Sequence, residues 1–167
     1  MTSTTDVIDA VVPLAPDQPT WTLRRQREKV LAATQGSYDA MFSPAVEGIS
    51  VIERLLVALH ACRVSKADSL AAHYRDRLLA EGADAAAVAS VDAGKPVADA
   101  RLQAMLAFTG KLIERPIEGD EAAVQSLAES GLSTPAIVAM SQLIAFLSYQ
   151  IRVAAGLKAL AALEVSA

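Results

Sequence analysis

The sequence has very little sulfur and few aromatic rings. Cys62 is the single cysteine among 167 residues, and phenylalanine, tryptophan and tyrosine together make up 4% of the chain. One cysteine excludes a disulfide bond within the chain, and without a cysteine–histidine cluster nothing indicates a zinc site. A glycine-rich loop of the kind that holds phosphate groups is also missing. We therefore expect neither a bound metal nor a cofactor.

The charged residues show no excess of positive sign. The chain carries 15 lysines and arginines against 19 acidic residues, a net charge of −4, with both signs interspersed. Without a basic stripe, nothing favours binding to nucleic acid or to an anionic membrane. The N-terminus lacks the basic and apolar regions of a secretory signal, and polar side chains interrupt the long apolar stretch at residues 135–163. We predict a cytoplasmic protein in which that stretch is a buried helix.

Alanine and aliphatic residues dominate the composition. Hydrophobic residues make up 53% of the sequence, and alanine is the best helix former. No segment alternates between apolar and polar residues for long enough to predict a sheet. These features predict an all-α fold of a size that is ordinary for one domain. The prolines at positions 13, 16 and 19 separate an N-terminal arm or short helix with a linker (1–22) from a single helical domain (23–167).

A pair of helices is predicted at the centre of the chain, over residues 49–63 and 65–81. The first has apolar residues at the i, i+3, i+4, i+7 spacing of a buried helix face. Ser65 is the predicted N-cap of the second helix, and Gly82 ends it. Because the joint between the two helices is short, they should pack as an antiparallel pair. The apolar spacing is formed by Ile52, Leu55, Leu56 and Leu59.

Polar residues concentrate around this joint. Lys66, Ser69 and His73 stand at i, i+3 and i+7, so one helical face is predicted to carry all three. Glu53 and His60 are also seven residues apart and share a face of the preceding helix. A charge near a helix start is most simply solvated, and a histidine near an apolar face is often a satisfied core residue. A solvated Lys66 and a core His73 are therefore alternatives to a functional site at this joint.

The segment KADSLAAH, from Lys66 to His73, resembles the core of the alkylhydroperoxidase D (AhpD) and carboxymuconolactone decarboxylase superfamily. That core is Cys-x-x-Cys-x-x-x-His, with a glutamate about one helix upstream. His73 matches the histidine, whereas Lys66 and Ser69 stand at the two cysteine positions. Glu53 lies a residue or two from the usual glutamate spacing. The similarity extends over roughly residues 49–160, through FTGKL, LAESGLS and AFLSYQIRV, and the segments DVID and SYDAMF resemble a branch without the cysteine pair.

The resemblance implies an AhpD-like helical domain that forms homo-oligomers. In the family's peroxidase members one thiolate attacks a hydroperoxide, the second cysteine resolves the sulfenic acid, and the histidine and glutamate relay protons. That cycle needs sulfur, so it cannot run at Lys66 and Ser69. The carboxymuconolactone decarboxylases instead use acid–base chemistry on small lactone carboxylates, which residues such as His73 and Lys66 would suit.

Three functional hypotheses follow. The first is a non-redox pocket for a small molecule around His73, Ser69 and Lys66, with Glu53 as a further catalytic candidate. The second is a non-catalytic subunit that assembles with itself or with a cysteine-bearing relative. The third is a one-cysteine hydroperoxidase in which Cys62 acts with an external thiol and His60 lies close to it. Against the third hypothesis, a free cysteine is often an inert core residue.

Overall fold

The computed structural model describes residues 6–165, and this part of the chain is helical with no strand. Alanine-rich segments separated by glycine and proline produce a series of α-helices joined by short turns, with a short 3₁₀-helix at Pro116–Glu118. The predicted division at residue 22 falls inside the second helix. The helices are α1 Val7–Val11, α2 Pro19–Arg25, α3 Glu28–Met41, α4 Val51–Val64, α5 Asp68–Ala80, α6 Ala85–Asp92, α7 Ala100–Glu114, α8 Glu121–Glu129 and α9 Thr134–Val165.

Helix α4 is the centre of the molecule. It packs against α5 most extensively, and also against α6, α7 and α9. Its residues from Leu55 to Leu59 are fully buried or nearly so, because neighbouring helices cover it on several sides. The helix begins with a capping box, in which the Ser50 side chain accepts from the Glu53 N–H and the Glu53 carboxylate accepts from the Ser50 N–H. The predicted central pair of helices is therefore present, as α4 and α5.

The joint between α4 and α5 differs from the sequence prediction. Ser65 does not cap α5 but lies at the C-terminal end of α4. The Ala67 N–H bonds to the Cys62 carbonyl and the Lys66 N–H to the Arg63 carbonyl, which is the Schellman pattern for a helix end. Helix α5 then begins without a side-chain cap. The residues that were predicted to start α5 therefore form the C-terminal end of α4 instead.

Helix α9 is the longest helix and packs against both ends of the domain. It contacts α1 to α4 as well as α7 and α8. Among the described residues it is the one helix long and apolar enough to cross a membrane by length and composition, a test that core helices also pass. One face buries Met140, Leu143 and Leu147, and 39% of the most apolar part of the helix is buried. Its inner face is part of the core, and its outer face remains exposed.

The N-terminal segment is fastened to the rest of the domain. Helix α1 inserts apolar side chains into the core and contacts α5 and α9. The Arg24 guanidinium forms ion pairs with Asp6 and Asp9, which holds α1 against α2. Both the backbone N–H and the hydroxyl of Thr20 donate to the Glu164 carboxylate, so α2 is tied to the far end of α9. Residues 1–5 and 166–167 of the predicted arm and domain lie outside the described residues.

Candidate functional site

Two of the predicted site residues, Lys66 and Ser69, line one small cavity at the joint between α4 and α5. The cavity has a volume of about 200 Å³, and α9 closes its other side through Ile151, Ala154 and Lys158. The Lys158 Nζ donates to the Ser69 Oγ at 2.5 Å. Lys158 comes from a helix that is distant in sequence, and together with Lys66 it gives the lining of the cavity two lysines.

The start of α5 adds polar backbone groups to this cavity. No side chain caps its first turn, and Asp68, Ser69 and Leu70 of that turn line the cavity. A helix N-terminus also carries a partial positive charge. The carboxylate of Asp68 is 85% exposed and pairs with Arg63 at 3.2 Å, so an ion pair at the surface occupies it. The joint therefore presents donors and positive charge, with one carboxylate already paired.

Lys66 has an unusual backbone conformation. Its φ is 55°, and it is the one non-glycine residue with a positive φ among the described residues. Glycines occupy the same position at three other helix ends that have the same hydrogen-bond pattern: Gly82, Gly94 and Gly131. An L-residue pays roughly 1 kcal/mol for this left-handed conformation, which glycine adopts freely. The chain thus keeps a lysine at the joint where its own pattern favours glycine.

His73 lies one helical turn beyond Ser69 but bonds in another direction. Its Nε2 lies 2.8 Å from the Tyr38 hydroxyl, and Arg77 donates to that hydroxyl at 2.6 Å. The Tyr38 hydroxyl thus accepts from Arg77, and whether it donates to Nε2 or accepts from it depends on the tautomer of the imidazole. Burial lowers the pKa of His73, and the nearby Arg77 charge lowers it further. Both effects favour the neutral imidazole.

An aromatic cluster fixes this network in place. Tyr74, fully buried, meets the His73 ring edge-on at a centroid distance of 5.2 Å and donates to Gln150 on α9 at 2.6 Å. Phe42 packs between Tyr38 and Tyr74, with the Arg77 guanidinium 4.9 Å from its ring centroid. Rings of this kind have few rotamers, so the imidazole is rigidly oriented.

Glu53 is not near the other predicted site residues. It belongs to the capping box at the start of α4 and pairs with Arg101 at 2.8 Å, whereas the joint lies at the other end of the helix, roughly 16 Å along the axis. Burial raises the pKa of Glu53, but hydrogen bonds from Arg101 and Ser50 outweigh that effect and hold the pKa below its ordinary value. The structure thus places Glu53 in the capping box and against Arg101, apart from Lys66 and Ser69, and its assignment as a catalytic residue stays a prediction.

A serine–histidine–carboxylate triad is also not assembled. Among the described residues the Ser69 side chain bonds to Lys158, His73 bonds to Tyr38, and Glu53 bonds to Ser50 and Arg101. No two of the three candidates are hydrogen-bonded to one another, although a triad is defined by those bonds. Ser69 therefore lacks the histidine–carboxylate pair that activates the serine of such a triad.

The other two predicted residues, His60 and Cys62, point away from the joint. Cys62 is completely buried in the core, and burial raises the pKa of its thiol to about 12. His60 faces α7, where its Nε2 lies 3.6 Å from the position that a Cβ on Gly110 would take. Neither side chain shares a cavity with Ser69. Burial thus disfavours the thiolate form of Cys62, despite its proximity in sequence to Lys66.

The sequence interpretation missed three residues that complete the site: Tyr38, Arg77 and Lys158. Arg77 stands four residues after His73, so helical spacing was a usable signal for it. Tyr38 lies in SYDAMF, a segment with no signal beyond its family resemblance, and Lys158 lies in the last helix. Only the packing of α3 and α9 against α5 reveals these two.

Comparisons with known proteins support the fold. The chain resembles the crystal structure of an uncharacterized peroxidase-related protein from Silicibacter sp. TM1040, with a TM-score of 0.69 and 20% sequence identity over 87% of this chain and 86% of that chain. No protein-family model matches the sequence, and no curated protein matches it. The predicted fold class, an all-α AhpD-like helical domain built on a central antiparallel helix pair, is confirmed. At this level of identity the likeness concerns the fold alone.

Proposed function

We propose that this chain is an AhpD-like protein without dithiol chemistry that binds a small anionic molecule, such as a short carboxylate, at the joint between α4 and α5. Lys66 and Lys158 would supply the positive charge, and Ser69 with the free N–H groups of α5 would supply hydrogen bonds. The small volume of the cavity favours a ligand of a few non-hydrogen atoms. His73 and Tyr38 would support the wall of the site from one turn below.

The observation that carries this proposal is the left-handed backbone of Lys66. Strained positions of non-glycine residues concentrate at functional sites, where the side chain compensates for its conformational cost. The three equivalent helix ends have glycine at this position, which adopts the left-handed conformation without strain. A lysine side chain that is retained at this cost, beside a second lysine and an uncapped helix start, points to an anion.

The left-handed position also provides a sharp test. Lys66→Gly removes the ammonium group and relieves the backbone, so the variant should be at least as stable as the wild type, by up to about 1 kcal/mol. It should nevertheless lose affinity for acetate, malonate or inorganic phosphate, measured by calorimetric titration and by the thermal midpoint. Lys158→Met should lose affinity too. Lys29→Met, which removes an exposed lysine from α3, serves as the matched control.

The results separate the cases clearly. A ligand that binds the wild type and the Lys29 variant equally but binds the Lys66 and Lys158 variants at least about tenfold more weakly supports the proposal. Equal binding in all four proteins, or no binding of any of these anions to the wild type, would refute it. Because Lys66→Gly is expected to be stable, weak binding by that variant cannot be attributed to unfolding.

A second candidate function is that of a non-catalytic subunit that assembles with itself or with a cysteine-bearing relative. The outer face of α9 supports it, since Val138, Tyr149 and Leu163 are 51%, 42% and 68% exposed. Exposed apolar surface of this kind often marks an interface. If no small anion binds and the chain sediments as an oligomer, this second function takes precedence over the first.

A further inference from the structure

A second and larger cavity lies away from the joint, between the C-terminal half of α4, the α6–α7 connection and α7. Its volume is about 390 Å³, nearly twice that of the joint cavity, and within the range typical of small-molecule sites. His60 from α4 and Gly110 from α7 face each other in its wall. Its apolar lining includes Val64, Val91 and Leu106.

Gly110 lies against the imidazole of His60 in the wall of this cavity. Glycine in the interior of a helix costs roughly 1 kcal/mol relative to alanine, and Gly110 stands well inside α7. A Cβ at this position would lie 3.6 Å from the His60 Nε2, which is an ordinary contact that an alanine would tolerate. Steric conflict therefore does not require the glycine. An added methyl group would instead cover part of the wall beside the half-buried imidazole, which is also hydrogen-bonded to the Leu106 backbone.

The charged residues of the cavity wall are mostly positive. Lys95, Lys111 and Arg115 contribute three cations, and Glu114 contributes one carboxylate. Arg115 is partly engaged, because it pairs with Glu118 at 2.7 Å, whereas Lys95 and Lys111 are exposed with no ion pair to a described residue. A positive rim on a chain with a net charge of −4 gives an anion a local region of attraction.

The floor of the cavity complements this rim. Burial lowers the pKa of His60, an effect that Glu114 and a hydrogen bond to the Leu106 backbone oppose. A neutral imidazole is a hydrogen-bonding group without a strong charge, and it stands beside aliphatic side chains. The cavity thus combines aliphatic side chains with the imidazole of His60 and the amide of Gln103, and exposed lysines stand in its wall.

We propose that this cavity binds a small carboxylic acid with an apolar body. The carboxylate lies toward Lys95 and Lys111 at the rim, and the apolar part lies against Val64, Val91 and Leu106 beside the exposed edge of His60. This site is independent of the joint site, because it shares none of its lining residues and faces α7 instead of α9.

The experiment uses the fact that the chain has two histidines, His60 and His73. Proton NMR of the imidazole signals, assigned with His73→Gln, is recorded while benzoate is titrated into the full-length protein, with benzamide as the uncharged analogue. We expect benzoate to shift the His60 signals in a saturable way and to leave those of His73 in place. Benzamide should bind more weakly, since it lacks the charge that the lysines recognise.

Gly110→Ala is the decisive variant, and Gly156→Ala is its matched control. Both replace a glycine inside a helix by alanine, and both should keep or raise the thermal midpoint. A Cβ at Gly156 meets nothing within 4 Å, whereas one at Gly110 stands beside the His60 Nε2. We expect the Kd for benzoate to rise in Gly110→Ala, because the added methyl group stands in the cavity wall beside His60, and to stay unchanged in Gly156→Ala.

The remaining variants complete the test. Lys111→Met should weaken benzoate binding, and Lys29→Met, at an exposed lysine of α3, should leave it unchanged. Because the His60 signals report on this cavity and not on the joint, this proposal and the proposed function succeed or fail separately. The inference is overturned if benzoate leaves the His60 signals of the wild type unmoved. It is equally overturned if Gly110→Ala binds benzoate as tightly as the wild type.

Discussion

The most direct prediction concerns the reactivity of Cys62, because it decides whether any thiol chemistry is available to this chain. The thiol is completely buried in α4, and burial raises its pKa to about 12 from an ordinary value of 9.0. At pH 8 such a thiol is ionised in about one molecule in 10⁴, against roughly one in ten for the ordinary thiol. Since the thiolate is the nucleophile, the intrinsic reactivity should fall about a thousandfold, before steric protection is counted.

The assay is the rate at which a chromogenic disulfide reagent labels the folded chain, compared with the rate in guanidinium chloride. As the protein has one cysteine, the signal has one source. We expect labelling of the folded chain to be slower by at least about three orders of magnitude, and limited by opening of the central helix. Hydroperoxide consumption should be the same in the wild type and in Cys62→Ala. Labelling within about tenfold of the unfolded rate would refute the burial argument and revive the one-cysteine hypothesis.

Three further predictions rest on other parts of the structure. Arg54 is buried, and its guanidinium donates to the Met41, Ser43 and Ser50 carbonyls. Arg54→Met should therefore lower the free energy of unfolding, measured by urea titration, by about 3 kcal/mol. A loss under about 1 kcal/mol would contradict this. Burial lowers the pKa of both histidines from 6.5, so the stability that their neutral forms contribute should be complete above pH 6.5 and fall as the pH drops through the folded pKa values. The measurement is the change in the urea midpoint between pH 7.5 and 5.5. If a double His→Gln variant shows the same change as the wild type, the prediction is contradicted. Finally, the exposed apolar face of α9 predicts a homo-oligomer at micromolar concentration, and a monomer by sedimentation velocity would count against it.

Composition and hydrophobic spacing were enough to predict the fold class and the central helix pair. Alanine content, the heptad-like spacing of leucines in α4 and the absence of alternation leave few choices other than packed helices. It also excluded a dithiol cycle, since a chain with one cysteine cannot form an internal disulfide whatever its fold. These conclusions depend on local periodicity and on counting, which need no knowledge of distant contacts.

Helix ends were predicted less well, for a physical reason. Ser65 has the chemistry of an N-cap, but the Schellman bonds at the end of α4 placed it in that turn and left α5 without a side-chain cap. Two neighbouring helices compete for the same few residues, and the better hydrogen-bonded end takes them. Propensity at one residue does not reveal that competition.

The composition of the candidate sites was decided by the tertiary structure. Glu53 and His73 were grouped by family spacing, yet Arg101 holds one and Tyr38 the other, at different places in the fold. Lys158 reaches Ser69 across 89 positions of sequence, and Gly110 meets His60 from a different helix. Helical periodicity reports which residues share a face of one helix. It cannot report which face of another helix will cover them, because that depends on how the whole core packs.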